Sequence, residues 1–484
     1  MQTAMLFILG WPLMAAVGLY VFRRSERTVR AMALMAVGLE LAAVLAMSLP
    51  LLAFPGVSVG FSASWIPAVG ARFDLAWDGL TALMCGMTAA VSMVVVLVSP
   101  RWTGKNATGF CAAVLVMVAA LMGVFLARDG LLFYVFWELA LVPAYVMVLG
   151  WGGENKSGVA LRFFVYMMAG SLLMLLSLMA LYFLSPAPHT FNIVAFASAQ
   201  LPVSLQHWIF WGFLLAFLIK TPLVPFHTWQ PDTYRTTSFP TTMLLAGLLS
   251  KMGLYGFYRL LLPVTPDAAA IWAPWIVILG VLGAVYAASV ALVQTDIRRL
   301  AAYSSVSHLS LVVAGLFSLT AVGLQGGVIQ ILSHAINSVG LFLVLGLLVA
   351  WAGTETLSDL GGWAKANRWF TAGFLVVVLG SIALPLTNGF VGEFLILMGV
   401  MNRSLLLAGV AGLTVVLGAW YMLRLYHDAM LGPAKPAHEV TWSGAEKLAL
   451  GLICVLIFAI GIFPSPILRL SAPVVSQILV RTGL

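Results

Sequence analysis

Seven ionisable residues lie inside long apolar runs of the sequence. They are Glu40, Glu138, Lys220, Lys251, His308, His334 and Glu393. A charge at the centre of a bilayer costs at least about 2.5–3.5 kcal/mol, so each of them needs a structural or functional reason. Sodium coordination would favour clustered carboxylates and carbonyls, whereas a mixed series of acids, lysines and histidines suits proton transfer through water. The residue types therefore favour proton translocation across a membrane.

Each of these residues has an alternative interpretation as a buried ion pair or a hydrogen-bonded polar group between packed helices. Glu40 stands alone in an ordinary apolar run, which favours a structural or lipid-edge role for it. His308 and His334 lie in neighbouring runs, and a side chain with a reference pKa of about 6.5 can both accept and release protons. The histidines are therefore stronger relay candidates than Glu40.

Prolines interrupt two apolar runs in matching ways, at Leu218–Pro225 and at Ala383–Gly389. Proline removes a backbone donor, and the unpaired carbonyls are tolerated in a membrane only where they face protein or water. Lys220 lies in the first break and Glu393 follows the second. The breaks recur five spans apart, which predicts inverted repeats of the kind found in transporters. Kinks that serve packing alone are the alternative.

The composition identifies a membrane protein, because 62% of the 484 residues are apolar and only 8% are charged. No basic arm, phosphate loop or dinucleotide fingerprint is present, which argues against nucleic-acid binding. Cys85, Cys111 and Cys454 lack the spacing of a metal or iron–sulfur site. Hydropathy predicts an all-α polytopic protein of about 14 spans. These lie near 2–22, 31–53, 79–99, 109–127, 131–151, 160–184, 206–229, 241–262, 270–294, 299–318, 322–351, 370–400, 404–425 and 446–468.

The spans predict four segments of the chain. Residues 1–108 form an N-terminal three-helix segment, 109–262 (spans 4–8) a first five-helix repeat, 263–425 (spans 9–13) the inverted second repeat, and 426–484 a C-terminal helix and tail. The run before Arg23 lacks a basic region and a cleavage site, so we expect a retained first span. The stretch 191–200 is expected to form a short amphipathic helix at the membrane interface.

The distribution of lysine and arginine predicts the orientation. Of the 24 cationic residues, 16 fall in the connections after odd-numbered spans and six on the opposite side. Cationic loops are retained in the cytoplasm. We therefore expect Lys105, Arg298 and Arg299 to face the cytoplasm and both termini to face the other side.

Four segments in order resemble the antiporter-like membrane subunits of respiratory complex I. They are Phe136–Pro143, Lys220–Trp229, Asp296–His308 and Gly389–Phe394. With the Asp78-Gly79-Leu80 motif, the resemblance extends over nearly the whole chain. Within the family the sequence is most similar to subunit M, called subunit 4 in mitochondria, because a glutamate stands at position 393 where subunits L and N typically have lysine. The chain's end after Phe463–Leu468, without a long lateral helix, also resembles subunit M.

The resemblance implies 14 helices with inverted repeats in spans 4–8 and 9–13 and broken helices 7 and 12. It also implies roles for six residues: Glu138 and Lys220 as an input ion pair, Lys251, His308 and His334 as the central relay, and Glu393 as the output proton carrier. No cofactor is expected in this chain. Flavin, iron–sulfur clusters and quinone would belong to partner subunits, and other antiporter-like subunits and lipids would surround the chain in a bacterial inner membrane.

The sequence departs from the family pattern at Gln230–Tyr234 and Ser238–Pro240, on the side where protons are taken up. Other functions with a similar relay stay open: a cation/proton antiporter subunit, a membrane-bound hydrogenase subunit, or the membrane partner of an inorganic-carbon uptake complex. A purely structural scaffold is disfavoured by the row of ionisable residues.

Overall fold

The computed structural model describes residues 1–22, 25–104, 106–431, 433 and 441–483, and this part of the chain is almost entirely helical. Lys105, used in the topology prediction, lies outside the described residues. The helices in chain order are α1 (Gln2–Val21), α2 (Glu26–Ala53), α3 (Gly79–Val98), α4 (Ala107–Leu126), α5 (Gly130–Leu139), α6 (Leu141–Trp151), α7 (Lys156–Leu184), α8 (Ile193–Ser198), α9 (Val203–Lys220), α10 (Trp229–Thr236), α11 (Phe239–Leu244), α12 (Ser250–Gly256), α13 (Leu262–Val264), α14 (Pro266–Leu292), α15 (Ile297–Phe317), α16 (Ala321–Ala352), α17 (Trp363–Ala366), α18 (Arg368–Ser381), α19 (Asn388–Met401), α20 (Leu405–Met430), α21 (Gly444–Ile462) and α22 (Ser465–Thr482).

Within the described residues, 12 helical segments are long and apolar enough to cross a membrane, which confirms a polytopic helical membrane protein. The other two predicted spans, near 241–262 and 370–400, fall on interrupted helices. Both proline breaks are confirmed: α9 ends at Lys220, and residues 382–387 separate α18 from α19.

Two further interruptions were not predicted. The fifth predicted span divides into α5 and α6 at Ala140. Pro143 explains this division, because its ring conflicts with the carbonyl of Leu139 four residues earlier. The eighth predicted span contains two π-helical turns, Leu245–Leu249 and Phe257–Leu261, on either side of α12. Such turns are frequent at functional sites, and α12 carries Lys251.

The connection near 54–78 contains a β-hairpin, which the sequence analysis did not predict within the otherwise helical fold. Strands β1 (Val59–Ile66) and β2 (Ala71–Trp77) pair antiparallel, with Val59 opposite Trp77. Gly70, at φ +63°, allows the turn between them.

At the other end of the chain, the region predicted as a tail forms α22. The predicted short helix within 191–200 is present as α8.

The chain divides into two compact units. The first comprises Met1–Thr221, Leu248–Ala273 and Pro466–Leu484, and the second comprises Pro222–Gly247 and Pro274–Ser465. Glu40, Glu138, Lys220 and Lys251 belong to the first unit, and His308, His334 and Glu393 belong to the second. The four predicted segments and the inverted repeats stay a prediction.

Glu40 is buried in α2 of the first unit. Its exposed fraction is 1%, and neither carboxylate oxygen has a hydrogen-bond partner in the part of the chain that the structure describes. The residue lies on a helix that packs against α1, α3 and α4. This environment agrees with the structural interpretation of Glu40.

Candidate proton-relay site

Lys220 is the last residue of α9 and is 2% exposed. Its Nζ atom lies 4.8 Å from the centroid of the Trp137 ring, in a cation–π contact. Phe217, one turn earlier on α9, packs against the same indole, with ring centroids 5.7 Å apart. The aromatic side chains of α5 and α9 therefore hold the ammonium group at the point where the helix breaks.

Glu138 follows Trp137 in the chain, and its carboxylate is near enough to Lys220 to interact with it electrostatically. Its Oε1 atom is buried without a hydrogen-bond partner, and no ion pair between the two residues is found among those described. The contact described for the Lys220 ammonium is the cation–π contact with the Trp137 ring. The ion pair between Glu138 and Lys220 stays a prediction.

Lys251 is fully buried in α12 and donates a hydrogen bond to Ser250 Oγ at 3.2 Å. Two glycines bring this helix close to α9. A Cβ atom on Gly253 would lie 2.3 Å from Thr221 Oγ1, and one on Gly256 would lie 2.6 Å from the Phe217 ring. The glycines therefore allow the helices that carry Lys220 and Lys251 to pack in direct contact.

Glu393 forms the centre of the site in the second unit. It lies on α19 and is 4% exposed. Its Oε1 atom is 2.8 Å from His308 Nδ1 and accepts a hydrogen bond from Gln330 Nε2 at 3.1 Å. Gly392 makes this approach feasible, because a Cβ atom there would lie 2.3 Å from Gln330 Oε1. The structure therefore brings a carboxylate and an imidazole together in a buried setting.

His334 extends this cluster on α16. Its ring centroid is 5.9 Å from that of His308. Both rings line a cavity of about 20 Å³ that Ser305 and Asn337 also line, which is room for about one water molecule. The arrangement can pass a proton directly between His308 and Glu393, and through a water molecule between the two histidines.

Backbone carbonyls on both sides of the break beside Glu393 accept hydrogen bonds from side chains of α16. Asn337 Nδ2 donates to the Gly380 carbonyl at 2.9 Å, and Ser333 Oγ donates to the Asn388 carbonyl at 3.0 Å. Irregular backbone inside a membrane protein needs such partners. Helix α16 therefore supports the break in addition to supplying His334.

Gln330, Ser333 and Asn337 are absent from the sequence-based set of site residues. They lie on α16 around His334 and contact Glu393 or the break next to it. Their spacing of three and four residues places them on one face of a helix. This polar face within an apolar span was the signal that could have identified them.

Of the two segments that depart from the family pattern, Gln230–Tyr234 lies on α10 and Ser238–Pro240 lies at the start of α11, both in the second unit. Gln230 is fully buried, and its Nε2 atom donates to Ser305 Oγ at 3.3 Å. Ser305 lines the same small cavity as His308. The departure at Gln230 therefore adds a polar group beside the relay candidates of α15.

Arg298 holds the end of α10. Its Nη1 atom donates to the carbonyls of Arg235 at 3.0 Å and Thr237 at 2.6 Å. Its guanidinium lies 3.7 Å above the Phe239 ring, and its Nε atom is 2.8 Å from Glu355 Oε1. Burial raises the pKa of Glu355, which lies in the connection after α16, and Arg298 partly offsets that shift. One buried cation thus fixes the segment that follows the broken seventh span.

Arg298→Ala is expected to destabilise the protein by roughly 2–3 kcal/mol, because hydrogen bonds from a charged group are lost and the carbonyls keep no equivalent donor. Thermal unfolding of the purified protein in detergent would measure this loss.

Arg299→Ala is the matched control for this substitution. Arg299 pairs with Asp232 at 2.7 Å, but its side chain is 41% exposed. An exposed ion pair contributes about 0–1 kcal/mol, so the effect should be clearly smaller. Equal shifts in the two variants would contradict the role assigned to Arg298.

No group of three or more His, Cys, Asp or Glu residues that could hold a metal ion occurs in the described ranges. Cys85, Cys111 and Cys454 are free thiols, and the first two are buried.

Comparison with known proteins identifies the family. The profile of the family described as "NADH:quinone oxidoreductase/Mrp antiporter, TM" matches residues 127–418. NADH-quinone oxidoreductase subunit M of Rickettsia prowazekii is 35% identical over 423 residues, covering 86% of each chain. Subunit M of Escherichia coli is 34% identical over 430 residues, covering 86% of this chain and 84% of the relative.

The fold comparison agrees with the sequence comparison. A chain of respiratory complex I from Thermus thermophilus, solved with bound NADH, superposes with a TM-score of 0.89 at 29% identity over 99% of both chains. The chain therefore belongs to the family of NADH:quinone oxidoreductase and Mrp antiporter transmembrane subunits, in the group that contains subunit M.

Proposed function

We propose that this chain is a proton-translocating membrane subunit of an NADH:quinone oxidoreductase, in the position of subunit M. The observation that carries the proposal is the buried contact of 2.8 Å between His308 and Glu393, with His334 beside it. The 35% identity to subunit M of Rickettsia prowazekii, over 86% of the chain, supports the same function. The chain itself performs no redox chemistry.

Six residues carry the proton. Glu138 and Lys220 take it up, Lys251, His308 and His334 relay it, and Glu393 releases it. The burial of Lys220, Lys251 and Glu393 supports these roles, because buried ionisable residues in membrane proteins commonly mark ion pathways. Lys220 exchanges between the Trp137 ring and the Glu138 carboxylate as the proton is loaded.

The other parts of the enzyme belong to partner chains. Flavin, iron–sulfur clusters and the quinone site lie in those chains, and further antiporter-like subunits and lipids adjoin this one in the membrane. The chain resides in a bacterial inner membrane with both termini on the periplasmic side, as the excess of lysine and arginine in alternate connections supports.

Purification of the tagged chain from its native membrane tests this function. We expect flavin and iron–sulfur subunits to co-purify, and NADH oxidation by quinone to acidify the lumen of vesicles that contain the complex with its NADH site outward. Removal of this chain should abolish its share of proton translocation. Co-purification with a nickel subunit, or with small antiporter subunits and no NADH-oxidising chain, would contradict the proposal.

A further inference from the structure

A cavity of about 610 Å³ lies in the first unit, away from the proposed relay residues. Its walls come from the start of α3, the connection between α4 and α5, α8, the second π-helical turn and α22. The volume falls within the range of about 300–1,000 Å³ that is typical of small-molecule sites. Glu138, Lys220 and Lys251 are not among its described lining residues.

One part of the wall is cationic. Arg128, Arg259 and Arg481 line the cavity, and Asp78 is the only acidic residue that does so among the described residues. Asp78 is already paired with Arg259. The lining therefore carries more positive than negative charge, and a bound anion would balance it.

The two remaining arginines keep donors for a ligand. Arg481 donates to the Ala197 carbonyl through Nη1. Burial raises the pKa of the Asp74 carboxyl, and the nearby guanidinium of Arg128 partly offsets that shift. A guanidinium has five N–H donors, so neither contact exhausts the arginine. A phosphate group accepts bidentate hydrogen bonds from arginine, so its chemistry matches these donors.

The other part of the wall is apolar. It includes Ile193 and Val194 of α8 and Val474, Ile478 and Val480 of α22. Val480 is 81% exposed and Val194 is 42% exposed. A free phosphate would satisfy the arginines and leave this apolar surface in water, whereas a phosphate that carries an acyl chain would cover both parts.

We propose that this cavity binds an anionic phospholipid, with its phosphate between Arg128 and Arg481 and an acyl chain along α8 and α22. The predicted topology counts all three arginines on the side of the termini, so the lipid would come from that leaflet. A short amphipathic helix such as α22 can lie in the interface and present both arginine and apolar side chains to a lipid. The proposal is independent of the proton relay.

Photocrosslinking of the assembled complex tests this site. The complex is reconstituted in phosphatidylcholine vesicles that contain a diazirine-labelled phosphatidylglycerol, and the labelled peptides are mapped by mass spectrometry. We expect labelling of residues 193–197 and 470–481, stronger than with diazirine-labelled phosphatidylcholine. The double substitution R128Q/R481Q should lower it roughly tenfold or more, because each interfacial cation strengthens anionic lipid binding several-fold.

Arg469→Gln is the matched control, because Arg469 is an exposed arginine of α22 that is not among the described lining residues. It should leave labelling unchanged. If R128Q/R481Q fails to assemble, the R128K/R481K variant keeps both charges and should retain preferential labelling by phosphatidylglycerol.

Three results would overturn the proposal. The first is equal labelling by the two lipids, and the second is complete inhibition of the labelling by inorganic phosphate. The third is a lack of labelling because a neighbouring subunit covers the cavity in the assembled complex. Full competition by phosphate would assign the cavity to a free anion, and protection would assign it to a protein interface.

Discussion

Glu393→Gln is expected to lower this chain's share of NADH-driven proton translocation to about a tenth of the parent value or below, with the complex still assembled. Glutamine keeps an oxygen that can accept the hydrogen bonds from Gln330 and His308, which now lie 3.1 and 2.8 Å from Oε1. It cannot bind or release a proton at that position. An added barrier of only about 1.4 kcal/mol slows a step tenfold, so the loss of the carrier should be readily measured.

Proton pumping by reconstituted complex, measured with a pH-sensitive dye against NADH oxidation, gives the ratio of protons to electrons. Glu40→Gln is the matched control, because Glu40 is equally buried but lacks a described hydrogen-bond partner. It should pump at the parent rate. If Glu393→Gln also pumps normally, Glu393 connects α19 to its neighbours and carries no proton.

The site was predictable where a single residue is unusual for its surroundings. Glu393 and His308 are conspicuous in apolar runs, and the structure places them in contact. Gln330 was not identified from the sequence, because a single amide side chain in an apolar helix is not unusual. Its contact with Glu393 depends on the close approach of α16 to α19 at Gly392. The orientation of Lys220 toward Trp137 was also not predictable, since the choice between ring and carboxylate is made by packing.

The fold was predictable where local sequence determines it. Hydropathy located the spans, and the prolines near Lys220 and at Pro385 located the two matching breaks. The hairpin was missed because its strands are stabilised by pairing with each other, as Val59 with Trp77. Helix α22 was missed because Arg469 and Gln477 reduce its mean hydropathy, although its buried face follows a helical period.

Replacement of Lys220 is expected to have the largest effect of all, with this chain's share of proton translocation falling to background in Lys220→Ala. The residue stands at the broken end of α9, is 2% exposed and contacts the Trp137 ring. Loss of the ammonium removes the group proposed to exchange between that ring and Glu138. Glu138→Gln should likewise stop or strongly reduce translocation. The reason is that the neutral glutamine side chain cannot attract the Lys220 ammonium away from the Trp137 ring.

The Lys220→Arg substitution distinguishes between two roles of Lys220, a proton carrier and a permanently charged cation. Arginine retains the charge and can stack on Trp137, but it does not release its proton in proteins. We therefore expect Lys220→Arg to assemble and to translocate no better than Lys220→Ala. Trp137→Phe, which keeps an aromatic face for the ammonium, should retain most of the parent rate, whereas Trp137→Leu should lose more of it. Normal pumping by Lys220→Arg would show that the position needs only a positive charge, and the carrier role of Lys220 would then be wrong.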